Sequence, residues 1–298
     1  MDLRVQPSQI RPYTIGTVTS RDGTSIAYRR LGRGPGVVLV HGAMQAAQSF
    51  MRLASALADT FTVHVPDRRG RGASGAFGAD YGVARESEDL HALLVATGAR
   101  DVFGLSSGAL IVMRAALTVP LIRKIALYEP PFPFGDERPG RWLGRFDDEV
   151  GRGDLASALV TVIQATGDDT LFTHLPRFVL KPLVRLGIRE NGRRVGGDDT
   201  PISALIPTAH YDALLAGSFE GTLDEFRALR NDVLLLGGRR SQRFLRSALD
   251  AVAAVLPQAR RVELAGVGHV AADNGGKPEL VADELRRFFA GASSPPAT

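Results

Sequence analysis

Short apolar runs recur along the chain and alternate with segments that have the periodicity of amphipathic helices. Near the N-terminus, the strand-like runs 16–19 and 25–28 flank Asp22-Gly23, a dipeptide typical of a β-hairpin turn. The run 36–40 is a continuous apolar stretch of the kind that central parallel strands show. Further strand-like runs cover 61–65, 102–105, 124–128, 232–238 and 261–264. Helical patterns cover about 50–58, 83–97, 107–119 and 279–290.

This alternation predicts an α/β fold, a doubly wound and mostly parallel sheet that is covered by helices on both faces. It stops between about 130 and 224, where the pattern is helical and broken by glycine. We expect 131–224 to form an inserted helical cap over the carboxyl ends of the strands, where open α/β sheets bind ligands. Residues 1–130 and 225–292 would form the core, and 293–298 a disordered tail.

Composition narrows the class of protein. The 298 residues include no cysteine, so a disulfide framework, a thiolate nucleophile and a cysteine-bound metal are excluded. No apolar run approaches the roughly 18 residues that span a bilayer, and the first residues lack the apolar segment of a secretory signal. We therefore expect a cytoplasmic protein without a membrane span, either a monomer or a homodimer.

The net charge of +4 is small and the cations are dispersed, which argues against nucleic-acid binding. One basic stripe stands out at i, i+4 spacing; it comprises Arg177, Lys181, Arg185 and Arg189. Pro182 counts against one continuous helix here. We interpret the stripe as a solvated helix face in preference to an anion or membrane site.

Candidate chemistry begins at Gly104-Leu105-Ser106-Ser107-Gly108, a Gly-x-Ser-x-Gly box between an apolar run and a helical pattern. This is the arrangement of a nucleophile elbow, in which a serine on a sharp strand-to-helix turn projects its Oγ above the sheet. The flanking positions must be small because neighbouring backbone passes close to them.

Four segments together resemble the α/β-hydrolase superfamily over nearly the whole chain. They are His41-Gly42, the Asp-Arg-Arg-Gly-Arg-Gly turn 67–72, the box 104–108 and Gly266-Val267-Gly268-His269. Within that superfamily the chain is most similar to small bacterial esterase-type members with a helical cap. The resemblance implies a serine, an acid and a histidine in that chain order. It also implies a small-molecule substrate, with no metal and no cofactor.

The resemblance assigns Ser106 as nucleophile and His269 as its base, because His269 lies in a Gly-rich loop after the last strand. The acid usually follows the preceding strand, but that turn, 237–243, contains no carboxylate. A second location, after the strand that follows the nucleophile helix, holds Glu129. We select Glu129 to accept a hydrogen bond from His269; the alternatives are Asp212, Asp224, Asp232 or no acid at all.

The oxyanion hole of the family consists of two backbone N–H groups. Ser107 would provide one, and Ala43 or Met44 the other. Asp67 is interpreted as part of a structural turn. His41 is interpreted as a residue that is structural or supports the oxyanion hole, and it is also selected as a substrate-binding residue. The other histidines, His64, His91, His174 and His210, have no assigned role. Six aromatic residues could line an apolar pocket: Phe132, Phe134, Trp142, Phe146, Phe172 and Phe178. Of these, Phe132 and Trp142 are selected as substrate-binding residues.

Three functions follow from the resemblance. The first is a serine hydrolase that cleaves an ester or thioester of a small-to-medium hydrophobic acyl group through an acyl-enzyme. Serine at the elbow argues against dehalogenase and epoxide-hydrolase chemistry. The missing acid after Gly238 keeps open a non-hydrolytic lyase, cyclase, dehydratase or acyl transferase of secondary metabolism. The third is a binding module that has lost turnover.

Overall fold

A computed structural model describes residues 10–133, 141–166 and 173–291 and contains an eight-stranded sheet. The strands are β1 (Thr14–Thr19), β2 (Ser25–Gly32), β3 (Gly36–Val40), β4 (Thr62–Pro66), β5 (Asp101–Leu105), β6 (Lys124–Tyr128), β7 (Asp232–Gly238) and β8 (Arg260–Leu264). Their order is β1-β2-β4-β3-β5-β6-β7-β8. β1 pairs antiparallel with β2, and β2 with β4, whereas every other pair is parallel. The predicted hairpin and the mostly parallel α/β sheet are confirmed.

Ten α-helices lie between these strands or after the last of them. They are α1 (Met51–Leu57), α2 (Val83–Thr97), α3 (Ser107–Thr118), α4 (Leu143–Gly151), α5 (Leu155–Thr166), α6 (Arg177–Arg194), α7 (Ile202–Leu205), α8 (Ala209–Gly217), α9 (Arg243–Val255) and α10 (Pro278–Ala290) within the described ranges. Short 3-10 helices cover Ala47–Phe50, Ile206–Thr208 and Leu223–Ala228.

Two helices differ from the sequence-based prediction. α9 is absent from that prediction, although its buried Leu245, Ala248, Leu249 and Val252 have helical spacing. α6 is one continuous helix with Pro182 inside it, so the argument from proline was wrong. Because Pro182 has no N–H, one backbone carbonyl in the preceding turn of the helix has no donor. Pro182 is exposed, so water can bind that carbonyl instead.

The alternation of side chains along each strand produces a hydrophobic core on both faces of the sheet. Val38 and Val40 of β3 point to the face covered by α2, α3 and α9. Val37 and Leu39 point to the other face, which α1 and α10 cover. Apolar residues at consecutive positions are therefore both buried, as the continuous runs predicted.

Between β6 and β7 the chain forms α4 to α8, and the described part of this segment contains no strand. We call α4–α8 the helical insertion. Phe146, Val162 and Ile206 form its own small core, and the end of α8 joins the main core through Leu215. The proposed tail, 293–298, lies outside the described residues. None of the described helices combines the length and the apolarity that crossing a bilayer requires.

His64 of β4 provides a test of core burial. Its ring is 3% exposed, its Nδ1 has no hydrogen-bond partner, and burial lowers its pKa to about 4. An unfolded chain would bind a proton at His64 below pH 6.5, whereas the folded chain would not, so stability falls as the pH falls. We predict that the unfolding free energy drops by about 2 kcal/mol more in wild type than in His64→Leu between pH 7 and pH 5.

Urea unfolding of both proteins at the two pH values measures this difference. An equal loss of stability in both proteins would show that His64 takes up its proton in the folded state.

Candidate active site

Ser106 occupies a strained turn between β5 and α3. Its backbone has φ 56° and ψ −125°, and its N–H donates to the carbonyl of Tyr128 at 2.9 Å. A Cβ at position 104 would lie 2.6 Å from the carbonyl oxygen of Gly108, and one at position 108 would lie 2.5 Å from that of Val40. Glycine at both positions is therefore a steric requirement, as a nucleophile elbow demands.

Glu129 follows β6 directly and meets His269 from the loop after β8. Its side chain is fully buried, and its Oε2 lies 2.7 Å from Nδ1 of His269. Oε1 accepts the N–H of Gly238 at 2.6 Å, and the backbone N–H of Glu129 donates to Leu236. Its backbone φ is 45°, a left-handed conformation that costs free energy in any residue other than glycine. Both carboxylate oxygens are thus held, and one of them faces the imidazole.

The end of β7 packs closely against this carboxylate and against the histidine loop. A Cβ at Gly237 would lie 3.3 Å from Oε1 of Glu129, and one at Gly238 would lie 2.5 Å from the carbonyl oxygen of Val267. Side chains at these positions would therefore crowd the carboxylate and the histidine loop.

The alternative carboxylates lie elsewhere. Asp232 is at the opposite end of β7, and Asp224 pairs with Arg227 at the surface. Asp212 of α8 lines the cavity, but its oxygens bind Ser107, Arg68 and Arg71. The structure therefore brings Glu129 to His269.

Ser106 and His269 line one cavity of about 290 Å³ at the carboxyl ends of the strands. The Tyr128 hydroxyl fixes the histidine loop by donating to the carbonyl of Gly268 at 2.7 Å. Asp212 and His269 are the ionisable side chains among the described lining residues, and most of the others are apolar. The cavity is therefore suited to an uncharged, largely hydrophobic ligand.

The helical insertion forms much of the cavity wall. Phe132 and Trp142 both line it, and α5 adds Val162 and Ile163. Phe146 is instead buried within the insertion, and Phe178 is exposed. Phe134 and Phe172 lie outside the described residues.

The loop after β3 brings backbone N–H groups to the same cavity. Ala43 and Met44 line the cavity together with Ser107, and Met44 has φ 53°. Within the described part of the chain, none of these three N–H groups donates a hydrogen bond. The N–H of Gly42 is different, because it donates to Oε1 of Gln45 at 2.8 Å.

Gln45 connects this loop to the histidine loop. Its Nε2 donates to Oδ2 of Asp273 at 2.7 Å, while its Oε1 holds Gly42. Burial raises the pKa of the Asp273 carboxyl. Sequence reasoning missed both residues, since a contact between positions so far apart leaves no local pattern.

His41 does not belong to the described cavity lining, so its selection as a substrate-binding residue is corrected. Its ring is fully buried; Nε2 accepts the N–H of Arg68 at 3.2 Å, and Nδ1 lies 3.0 Å from the carbonyl of Gly42. Burial and the positive charges of Arg71 and Arg68 hold its pKa well below the ordinary value. His41 is therefore a neutral support behind the loop.

A buried polar cluster joins the helical insertion to the elbow. Oδ1 of Asp212 accepts hydrogen bonds from the Ser107 hydroxyl at 2.7 Å and from Arg68 at 2.9 Å, and Oδ2 accepts one from Arg71. Arg68 also pairs with Glu86 at 2.7 Å. Burial opposes ionisation of Asp212, but the charges of Arg71 and Arg68 outweigh it and lower the pKa. The positive charges of Arg68 and Arg71 thus balance the negative charges of Asp212 and Glu86.

The remaining residues singled out in the sequence lie outside the described cavity lining. Asp67 braces the turn, since its carboxylate accepts the N–H groups of Ala47 and Ala73. The four other histidines, His64, His91, His174 and His210, are absent from the described cavity lining. No group of three or more histidine or acidic side chains in the described residues could hold a metal ion.

Comparisons with known proteins identify the family of the chain. The family model described as "Alpha/beta hydrolase family" matches residues 37–284. The chain belongs to this family. It is 29% identical over 271 residues to the pimeloyl-(acyl-carrier protein) methyl ester esterase of Stenotrophomonas maltophilia, covering 88% of this chain and 95% of that protein.

Solved structures of other α/β hydrolases show the same fold. One from Sphaerobacter thermophilus has a TM-score of 0.74 and 33% identity, over 92% of this chain and all of that one. A thermophilic esterase from Thermogutta terrifontis has a TM-score of 0.69 and 21% identity, over 94% of this chain and 98% of that one.

Proposed function

We propose that this α/β hydrolase is a serine esterase that cleaves esters or thioesters of small-to-medium hydrophobic acyl groups. The contact between Glu129 and Nδ1 of His269, at a cavity that Ser106 also lines, carries the proposal. A carboxylate at this nitrogen fixes the tautomer whose Nε2 can accept a proton. The esterase named among the relatives supports the same class of reaction.

In the proposed mechanism, Ser106 attacks the ester carbonyl while His269 takes the hydroxyl proton. Glu129 stabilises the imidazolium that forms, and His269 then returns the proton to the departing alcohol or thiol. Water, activated by the same histidine, attacks the acyl-enzyme. Release of the carboxylic acid regenerates Ser106.

The negative oxygen of the tetrahedral intermediate requires donors that are already in place. We assign this role to the N–H of Ser107 and that of Ala43, or Met44 in its place, because none of them is used elsewhere in the described chain. The cluster around Asp212 holds Ser107 from the side of α8. We further propose that segment 131–224 acts as a cap, since Trp142, Val162 and Asp212 wall the cavity.

A fluorophosphonate probe tests the nucleophile. We predict one covalent adduct on wild type and none on Ser106→Ala, measured as intact-protein mass, because only a serine activated by a base reacts readily. Ser218→Ala is the matched control and should keep the adduct, since Ser218 is an exposed serine outside the described cavity lining. An adduct that persists in Ser106→Ala would contradict the assignment. Absence of any adduct, even with a small probe, would favour a non-hydrolytic reaction.

The apolar wall predicts the choice of acyl group. We expect kcat/KM for p-nitrophenyl hexanoate to exceed that for the p-nitrophenyl half-ester of adipic acid by at least about tenfold. The two acyl chains match in length, but the second carries a carboxylate that must leave water without a cation to pair with. Initial rates at pH 7.5 measure both constants. Equal values would show that the cavity accepts an anionic acyl chain.

A further inference from the structure

Helix α6 presents an exposed surface that the proposed catalysis does not use. It carries six cationic side chains against one carboxylate, a net charge of +5, whereas the whole chain has +4. Three large apolar side chains on the same helix are also exposed: Phe178 at 79%, Leu183 at 51% and Leu186 at 56%. At 100° per residue, Phe178 and Leu186 lie about 80° apart around the helix, and exposed apolar groups that share one face often mark a binding surface.

Part of the positive charge is used within the protein. Arg177 pairs with Glu149 of α4, and Lys181 with Asp154 just before α5. These contacts, together with Leu180 and Val184 packed against α5, fix the buried side of the helix. The stripe is therefore only partly the solvated face that the sequence suggested.

Two cations near the C-terminal end of α6 differ from Arg177 and Lys181 in their contacts. Arg189 and Arg193 are exposed and form no ion pair with another described residue. At 100° per residue, both lie within a quarter turn of Phe178 and Leu186, so charge and apolar surface share one face. Arginine stems can extend along such a surface while the guanidinium remains at its polar boundary.

We propose that this face of α6 is a docking surface for an anionic phospholipid membrane. Exposed phenylalanine and leucine insert at the boundary between headgroups and acyl chains, and flanking arginines attract the lipid phosphates. A purely electrostatic partner such as a nucleic acid would explain the arginines but not the exposed apolar groups. Lipid therefore fits the whole surface.

Docking in this orientation would bring the cavity close to the membrane. α6 packs on α5 through Val160 and Leu180, and α5 supplies Val162 and Ile163 to the cavity wall. Packed helices are about 8–10 Å apart, so one helix layer would separate the cavity wall from the lipid. The proposal itself concerns binding and does not depend on the reaction that Ser106 performs.

Co-sedimentation of the full chain with sucrose-loaded vesicles tests the proposal. We expect wild type to partition at least about tenfold more strongly onto vesicles of equal phosphatidylglycerol and phosphatidylcholine than onto phosphatidylcholine alone. Added salt should weaken this preference. Phe178→Ser/Leu186→Ser should lower binding to the anionic vesicles by at least about tenfold.

Leu280→Ser on α10 is the matched control, because Leu280 is also exposed, at 41%, but lies outside the surface. It should bind as wild type does, and thermal unfolding of all variants should be similar. Failure of wild type to bind anionic vesicles would overturn the proposal. So would equal losses in the control and the double variant, or a concentration-dependent dimer that the double variant abolishes.

Discussion

The hydrogen-bonded carboxylate of Glu129 is the constraint on which the rest of the site depends. A carboxylate removed from water is costly unless its oxygens have partners, and here the Gly238 N–H and the His269 imidazole provide them. The partners come from β7 and from the loop after β8, while the carboxylate comes from β6. Correct pairing of these three neighbouring strands is therefore a condition for assembling the site. The positive φ at Glu129 and the glycines at 237 and 238 are local consequences of this placement.

The polar cluster around Asp212 couples the helical insertion to the turn that carries Ser106. A single carboxylate on α8 binds the hydroxyl of Ser107 and two arginines from the turn after β4. Because the cluster is charge-balanced and buried, removal of one member would leave an unpaired charge in a poorly solvated site. Asp212 thus lines the cavity and also holds Ser107, the proposed oxyanion donor.

Local patterns predicted the sheet, the hairpin, the elbow and the position of Glu129. Each depends on neighbours in sequence: continuous apolar runs for parallel strands, small residues around Ser106, and the carboxyl end of a strand for Glu129. The contacts of Gln45 with Asp273 and of Asp212 with Ser107 were not predictable, since 228 and 105 residues separate the partners. His41 was misplaced for a related reason. Its position after a strand brings it to the correct edge, but burial behind Arg68 and the loop keeps it out of the cavity.

We propose that Glu129 orients His269 so that Ser106 forms an acyl-enzyme. The most direct test is the pre-steady-state burst of p-nitrophenol from p-nitrophenyl butyrate, followed in wild type and in Glu129→Gln. We expect a burst equal to the enzyme concentration in wild type. In the variant, acylation should be slower by roughly 10³ to 10⁴, because an amide can stabilise the wrong tautomer and cannot balance the imidazolium charge. A burst of equal size and rate in both proteins would show that acylation does not depend on Glu129.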